Sequence, residues 1–193
     1  MGKSASGKDT IYRKLLEDTA LSLRTCTLYT TRPMREGERE GVEYHFTDEE
    51  AYKRFSEEGK VIEERLYHTV QGPWRYFTVD DGSFDEAGAV LVIGTPESFL
   101  SMRNYFGSEC VKPLYIECDD GIRLERALKR ERERKIPQYR EMCRRFLADC
   151  EDFSEERLKE AGIERRFRND ALSECLKELS AYIRKEENVY GVV

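Results

Sequence analysis

The sequence predicts an α/β protein: a parallel sheet flanked by helices, with an α+β lobe inserted in its middle. Three observations carry this. "GKSASGKDT" (2–10) is a glycine-bounded loop that runs straight into an amphipathic segment. Two short apolar runs, "AVLVIG" (89–94) and "KPLYIEC" (112–118), have the character of strands buried on both faces, and each is followed by helix-start signals. Between about 33 and 87 the strand–helix alternation gives way to a hairpin-rich stretch, the mark of an inserted lobe.

Taken in order, "KDTIYRKLLED" places Ile11, Leu15 and Leu16 at helical spacing. "RTCTLYTTR" (24–32) reads as one strand, and "PMREGEREG" (33–41) as a charged loop broken by Pro33, Gly37 and Gly41. Asp48 can cap a helix reaching about Glu58. "KVIEERLYHTV" and "WRYFTV" flank Gln71-Gly72-Pro73 as a hairpin. Pro96-Glu97 and Asp119-Asp120 open helices after the two apolar runs. Further helices are expected over roughly 138–152 and 170–186, with "GIERRFRN" (162–169) as the last strand. The expected division is a single domain over 1–193, with a core of 1–32, 88–128 and 151–193, a lobe of 33–87 and a lid of 129–150.

Hydrophobic content of 39% with 37% charged residues suits a soluble chain with a highly charged surface. No apolar run approaches membrane-spanning length, so a cytoplasmic protein without membrane contact is expected. The six cysteines form no C-x-x-C pair, and His45 and His68 lie far from any cysteine pair; zinc is not expected. A net charge of −6 argues against a general nucleic-acid binder, yet residues 123–145 are crowded with arginine. Arginine grips phosphate in two-point geometry, so that crowding suits a small phosphorylated ligand. Glu125–Lys129 and Glu131–Lys135 are also spaced to pair on a solvated helix face.

Gly2 to Lys8 fits G-x-x-x-x-G-K. In such a loop the backbone N–H groups around Ser4, Ser6 and Gly7 cup an anion, the helix behind adds its positive dipole end, and Lys8 reaches the outer phosphates. Asp9 and Thr10 follow, where a hydroxyl directly after the lysine is usual. Asp9 is either a Mg²⁺ partner through water or a favourable first-turn helix charge. In "TTRPMREGEREGVEYHF" (30–46), Arg32 and Arg35 sit three apart in a restrained loop, with Glu38 and Tyr44 after them. That set can offer cations and a phenol to one phosphate and a carboxylate to a base edge.

With these two motifs in hand, the chain resembles the guanylate kinase family, whose loop has the form T-T-R-x-x-R-x-G-E-x-x-G-x-x-Y-x-F. The resemblance extends over nearly the whole chain and implies a P-loop NTPase-type parallel sheet with helices on both faces, a GMP-binding lobe and a helical lid. It implies phosphoryl transfer from ATP to GMP, with Mg²⁺ as cofactor and the two nucleotides as partners. By the same likeness, Arg32, Arg35, Tyr44 and Tyr76 hold the acceptor phosphate, and Glu38, Glu63 and Thr78 stand at the base. Arg145 and one or two of Arg130, Arg132 and Arg134 act as lid arginines beside Lys8, and Asn169 lies near the adenine. A binding module without turnover, or a kinase for another small phosphorylated acceptor, are the alternative readings.

The sequence departs from the family pattern at four places. The strand expected ahead of the loop is missing, so a hole in the sheet is expected, and a start assigned too late is the simplest explanation. Lys3 and Ala5 stand for Pro and Gly, and Leu28 for Ser. Val92 and Gly94 stand where the family has an acidic pair, one member of which faces the guanine; Thr95 and Glu97 are the nearby substitutes.

Overall fold

The computed structural model describes residues 1–35, 37–69, 72–86 and 88–190. The tip of the expected hairpin, Val70-Gln71, lies outside the described residues. Helix α1 (Lys8–Glu17) follows the glycine-bounded loop, and a 3₁₀ turn over Thr19–Leu21 closes it. Strands β1 (Arg24–Thr25) and β2 (Tyr29–Thr30) come next, then β3 (His45–Phe46), α2 (Glu49–Glu57), β4 (Val61–Thr69) and β5 (Gly72–Val79). The remaining elements are β6 (Val90–Leu91), α3 (Pro96–Phe106), β7 (Tyr115–Glu117), α4 (Asp120–Arg132), α5 (Tyr139–Asp152), α6 (Glu155–Glu160), β8 (Arg166–Arg168) and α7 (Leu172–Tyr190).

The parallel core sheet is present as two separate pairs, β1 with β6 and β7 with β8. Residues along β7 alternate between faces. Ile116 joins Ile11, Leu15, Phe167 and Leu179 under α1 and α7, while its neighbour Tyr115 joins Phe99, Phe153 and Leu158 under α3 and α6. Helices therefore cover both faces.

Between the two pairs stands a single residue of ladder. The Met1 ammonium donates to the Leu114 carbonyl at 2.8 Å, and the Ile116 amide donates to the Met1 carbonyl at 2.9 Å. That is the bonding of a parallel bridge centred on Tyr115. Beyond it opens an apolar cleft of about 420 Å³, lined by Met1, Ile11, Leu91, Phe99, Met102 and Ile116 among others. The expected hole in the sheet is thus a measurable space. Burial pushes the Met1 ammonium down to about 5, because a charge there has little water to solvate it.

The lobe, by contrast, has a continuous four-stranded sheet in the order β3-β2-β5-β4. Tyr29, Tyr52 and Phe55 pack their rings on Phe77, which is fully buried. The Asp48 side chain accepts from the Ala51 amide and starts α2 as the sequence implied.

Three sequence expectations are corrected here. "RTCTLYTTR" is two strands in different sheets, since β1 pairs with β6 while β2 pairs with β3 and β5. Helix α4 ends at Arg132, so Glu131 pairs with Arg134 at 3.0 Å instead of running on to Lys135. A short helix, α6, capped by the Ser154 side chain, was not foreseen between α5 and the last strand.

Candidate active-site cleft

The phosphate loop is built by steric necessity at both ends. A Cβ on Gly2 would stand 2.7 Å from the Ile116 carbonyl oxygen, and one on Gly7 would stand 2.3 Å from Asn169 Nδ2. Gly7 also has φ +90°, open to glycine at little cost. Ala5 takes φ +62°, a left-handed geometry that disfavours a side chain by ~1–2 kcal/mol. Asn169, at the end of β8, donates through Nδ2 to the Ser6 carbonyl at 2.7 Å, while its own amide donates to Glu117. The last strand thereby pins the loop. The Ser6 hydroxyl and Asn169 Oδ1 are buried with no hydrogen-bond partner.

Helices α4 and α5 close on the loop. The Ser4 amide donates to Asp149 Oδ2 at 2.8 Å, and Arg145 Nη2 donates to the Ser4 hydroxyl at 3.2 Å. Arg123 donates to the Ser4 carbonyl at 3.0 Å and to Asp120, beneath the Phe146 ring. Arg123 is 1% exposed. The sequence reading left it in a charged helical row; burial makes it a strut under the loop instead. Arg130, Arg134 and Arg145 line one small hollow of about 110 Å³ together with Ser4. Arg134 is tied to Glu131, and Arg126 reaches Cys118 and the Asn169 carbonyl.

Lys8 Nζ lies 3.7 Å from Asp9. The Asp9 carboxylate is 73% exposed and faces the open cleft, and Thr10 donates its amide to the Gly7 carbonyl. Among the described residues no three His, Cys, Asp or Glu side chains gather as a metal cage. One exposed carboxylate beside an anion loop fits a Mg²⁺ that arrives with nucleotide phosphates and keeps most of its waters.

In the lobe, Arg32 is 3% exposed. It donates two parallel bonds to Glu38, at 2.9 and 2.8 Å, and a third to the Pro33 carbonyl. The Arg35 amide also donates to Glu38, at 2.7 Å. Both Glu38 oxygens are therefore engaged within the loop, where the sequence reading had the carboxylate at a base edge. Arg32 holds the Glu38 carboxyl below the usual carboxylate range, and Glu38 in turn raises Arg32. The Arg32 guanidinium sits 5.4 Å from the Tyr44 ring centroid, and Tyr44 meets Tyr76 edge-on at 5.5 Å. Burial pushes the Tyr44 phenol up. The Arg35 side chain is exposed.

Glu63 and Thr78 face each other across β4 and β5. The buried Glu63 carboxylate accepts from Thr78 Oγ1 at 2.9 Å and from Ser98 Oγ at 3.0 Å. Ser98, on α3, was missed, because a serine three residues after a cap carries no sequence signal of its own. Thr95 caps α3, and Glu97 is exposed. His45 bonds Glu40, and the side chain of His68 lies outside the described residues.

Core, lobe and lid meet around a cleft of about 850 Å³. Asp9 and Tyr12 come from the loop side, Tyr44, Arg65, Trp74 and Tyr76 from the lobe, and Arg144 and Arg145 from the lid.

Fold and site together define a P-loop-type α/β protein with an inserted lobe and a helical lid. In the comparisons with known proteins, residues 1–71 match the family model described as guanylate kinase. The chain is 43% identical to guanylate kinase of Legionella pneumophila (strain Lens) across 60 residues, 31% of this chain and 28% of the relative. It is 44% identical to guanylate kinase of Chlorobium luteolum across 64 residues, 33% and 32% of the two chains. The chain thus covers about a third of the length of these curated relatives. The crystal structure of guanylate kinase from Anaplasma phagocytophilum superposes with a TM-score of 0.61 at 23% identity, covering 96% of this chain and 83% of that one. The family match takes in residues 1–71, and the likeness in fold spans nearly the whole chain. No helix among the described residues is long and apolar enough to cross a membrane.

Proposed function

We propose that the protein is a guanylate kinase-like phosphotransferase that moves the terminal phosphoryl group of ATP to GMP. The observation that carries this is the cleft itself: the first turns of the helix behind the loop (Asp9, Tyr12), the lobe's Tyr44 and Tyr76, and the lid's Arg144 and Arg145 line one space, with Arg145 bonded to Ser4 of the loop and Arg32 held by Glu38 behind Tyr44. Phosphoryl transfer needs alignment and positive charge far more than covalent help. Lys8 and the lid arginines Arg130, Arg134 and Arg145 would meet the donor's phosphates. Arg32, Arg35, Tyr44 and Tyr76 would hold the acceptor phosphate in line, and Glu38 would fix Arg32. Glu63, oriented by Thr78 and Ser98, would stand at the base, and Asn169 on the adenine side. Mg²⁺, carried by ATP and held through water by Asp9, would supply charge neutralisation between the phosphates.

The test is ADP formation over a panel of nucleoside monophosphates. Turnover with GMP ahead of AMP, CMP and UMP supports the proposal. Binding of GMP with no ADP formed would make this a binding module, and preference for another phosphorylated acceptor would keep the kinase and discard the guanylate assignment.

A further inference from the structure

One cation of the acceptor cleft has no task in the reading above. Arg65 lies on β4 two residues beyond Glu63, on the same face, opposite Tyr76. Its side chain is 20% exposed and lines the cleft with Tyr44, Tyr67, Trp74 and Tyr76. Arg65 Nη2 donates to Glu63 Oε1 at a long 3.3 Å. Its Nε stands 3.3 Å from Glu63 Oε2, yet is buried and makes no hydrogen bond.

The other arginines of the lobe's interior differ. Arg32 spends both terminal nitrogens on Glu38 and the Pro33 carbonyl and leaves only its buried Nε without a partner, and Arg75 is held between Glu49 and Glu64 while covering the Tyr52 ring. Glu63, for its part, takes one neutral hydroxyl on each oxygen, from Thr78 and Ser98, so it does not depend on Arg65 and keeps accepting capacity. Arg65 is therefore a guanidinium with donors to spare, set beside a buried carboxylate at the base end of the site. Val92 lines the same cleft and Gly94 follows it, so that short stretch brings no carboxylate to neutralise Arg65 from across the space.

We propose that Arg65 is a specificity-determining residue that donates to O6 and N7 of the acceptor's guanine, while Glu63 beside it accepts from N1–H and the N2 amino group. This rests on the guanylate kinase reading. Guanine presents N7, O6, N1–H and N2–H₂ in sequence along its edge, two acceptors and then two donors. A guanidinium next to a carboxylate is the matching order, and arginine on O6 and N7 is the commonest specific contact to that base. Adenine turns an amino group toward Arg65 and an acceptor toward Glu63, so both contacts become mismatched. The pair would do with one cation and one anion what an acidic pair cannot do alone: reward a keto group.

The experiment compares kcat/KM for GMP, IMP, AMP and 7-deaza-GMP in the wild-type protein and in Arg65→Met and Arg65→Lys. IMP keeps O6, N1–H and N7, so Arg65→Met is expected to lower GMP and IMP by a similar factor, about ten- to a hundredfold, and to collapse the GMP:AMP ratio. Arg65→Lys should fall between, since it keeps charge and loses the fork. In wild type 7-deaza-GMP, lacking the N7 acceptor, should be poorer than GMP, and Arg65→Met should erase that difference. An equal loss across all acceptors, as expected of a phosphate contact, overturns the proposal, and so does an unchanged GMP:AMP ratio. If neither variant folds, the wild-type comparison decides alone: equal use of GMP and 7-deaza-GMP overturns it. Wild-type preference for a non-guanine acceptor is a separate outcome that overturns the function reading and this proposal together.

Discussion

The inserted lobe and the core differ in how continuous their sheets are. In the lobe every strand of the four-stranded sheet has a partner, and Glu38 is already held by three short bonds from Arg32 and the Arg35 amide. In the core two strand pairs face each other across an apolar cleft, bridged by the backbone of Met1. The lobe's geometry is therefore preorganised by pairing. The loop at the donor end depends on lateral supports: Asn169 from β8, Arg123 from α4 and Asp149 from α5. Preorganisation of a site is set by the shell that holds it, and here the two ends of one cleft have unlike shells.

The largest effect that bears on this contrast is at the donor end. Lys8→Ala should lower turnover by about 10²–10³-fold, the scale of removing one charge-stabilising donor from a transition state, with circular dichroism unchanged. Near-normal turnover by a folded variant would remove the loop from the chemistry. At the acceptor end, Arg32→Ala or Arg35→Ala should weaken GMP use about tenfold or more, since a bond to a charged group is worth about 1.5–3 kcal/mol. Arg32→Ala should be the more damaging, because it also strands Glu38. Loss of ATP affinity with GMP affinity intact would mean the two ends have been interchanged.

The third expectation addresses the gap directly. A version extended upstream by an apolar strand should melt about 5–10 °C higher, given the ~2–4 °C per kcal/mol usual at this size, and bind ATP more tightly while leaving GMP affinity near its original value. Equal melting temperatures would show that the cleft costs the fold little. The same pair of proteins should differ in pH response. With a folded-state value of about 5 against an ordinary 8.0 for the Met1 ammonium, the unfolded chain holds a proton that the folded chain lacks. Stability of the free-amine form should therefore rise with pH across that window, and the extended form should lack this slope.

The smallest effect belongs to the clamp. Glu38 is depressed in the folded state, so its contribution is complete above its ordinary value of about 4.3 and is lost as pH falls through the lowered one. The melting difference between wild type and Glu38→Gln should be flat at neutral pH and close only in acid. A difference that closes near pH 6 would point to another group.

How far the sequence could be read follows the same division. In the lobe's loop the sequence singled out Arg32, Arg35 and Glu38 but not their arrangement: Glu38, expected at a base edge, takes Arg32 and the Arg35 amide within seven positions. Asp48 and the β4–β5 pair were legible because their partners stand close in the chain. What escaped depends on distant partners. Nothing in "RTCTLYTTR" tells that β1 leaves for β6 while β2 stays in the lobe. Arg123 repeats at helical spacing with surface arginines, and only the approach of Ser4, 119 positions away, buries it. Ser98 finds Glu63 across 35 positions. Arg65 alternates with its neighbours as any strand residue does, and its spare donors are visible only once those of Arg32 and Arg75 are accounted for.

Trp74, which lines the acceptor side of the cleft, is the single tryptophan of the chain. The protein therefore carries one indole emitter, placed on the lobe's side of the cleft. Excitation at the red edge of the absorption band reports that side without labels, and a nucleobase stacking nearby is an efficient quencher. Occupancy of the lobe's side of the cleft can thus be followed optically and in real time, while the glycine-bounded loop, which holds no tryptophan, stays dark.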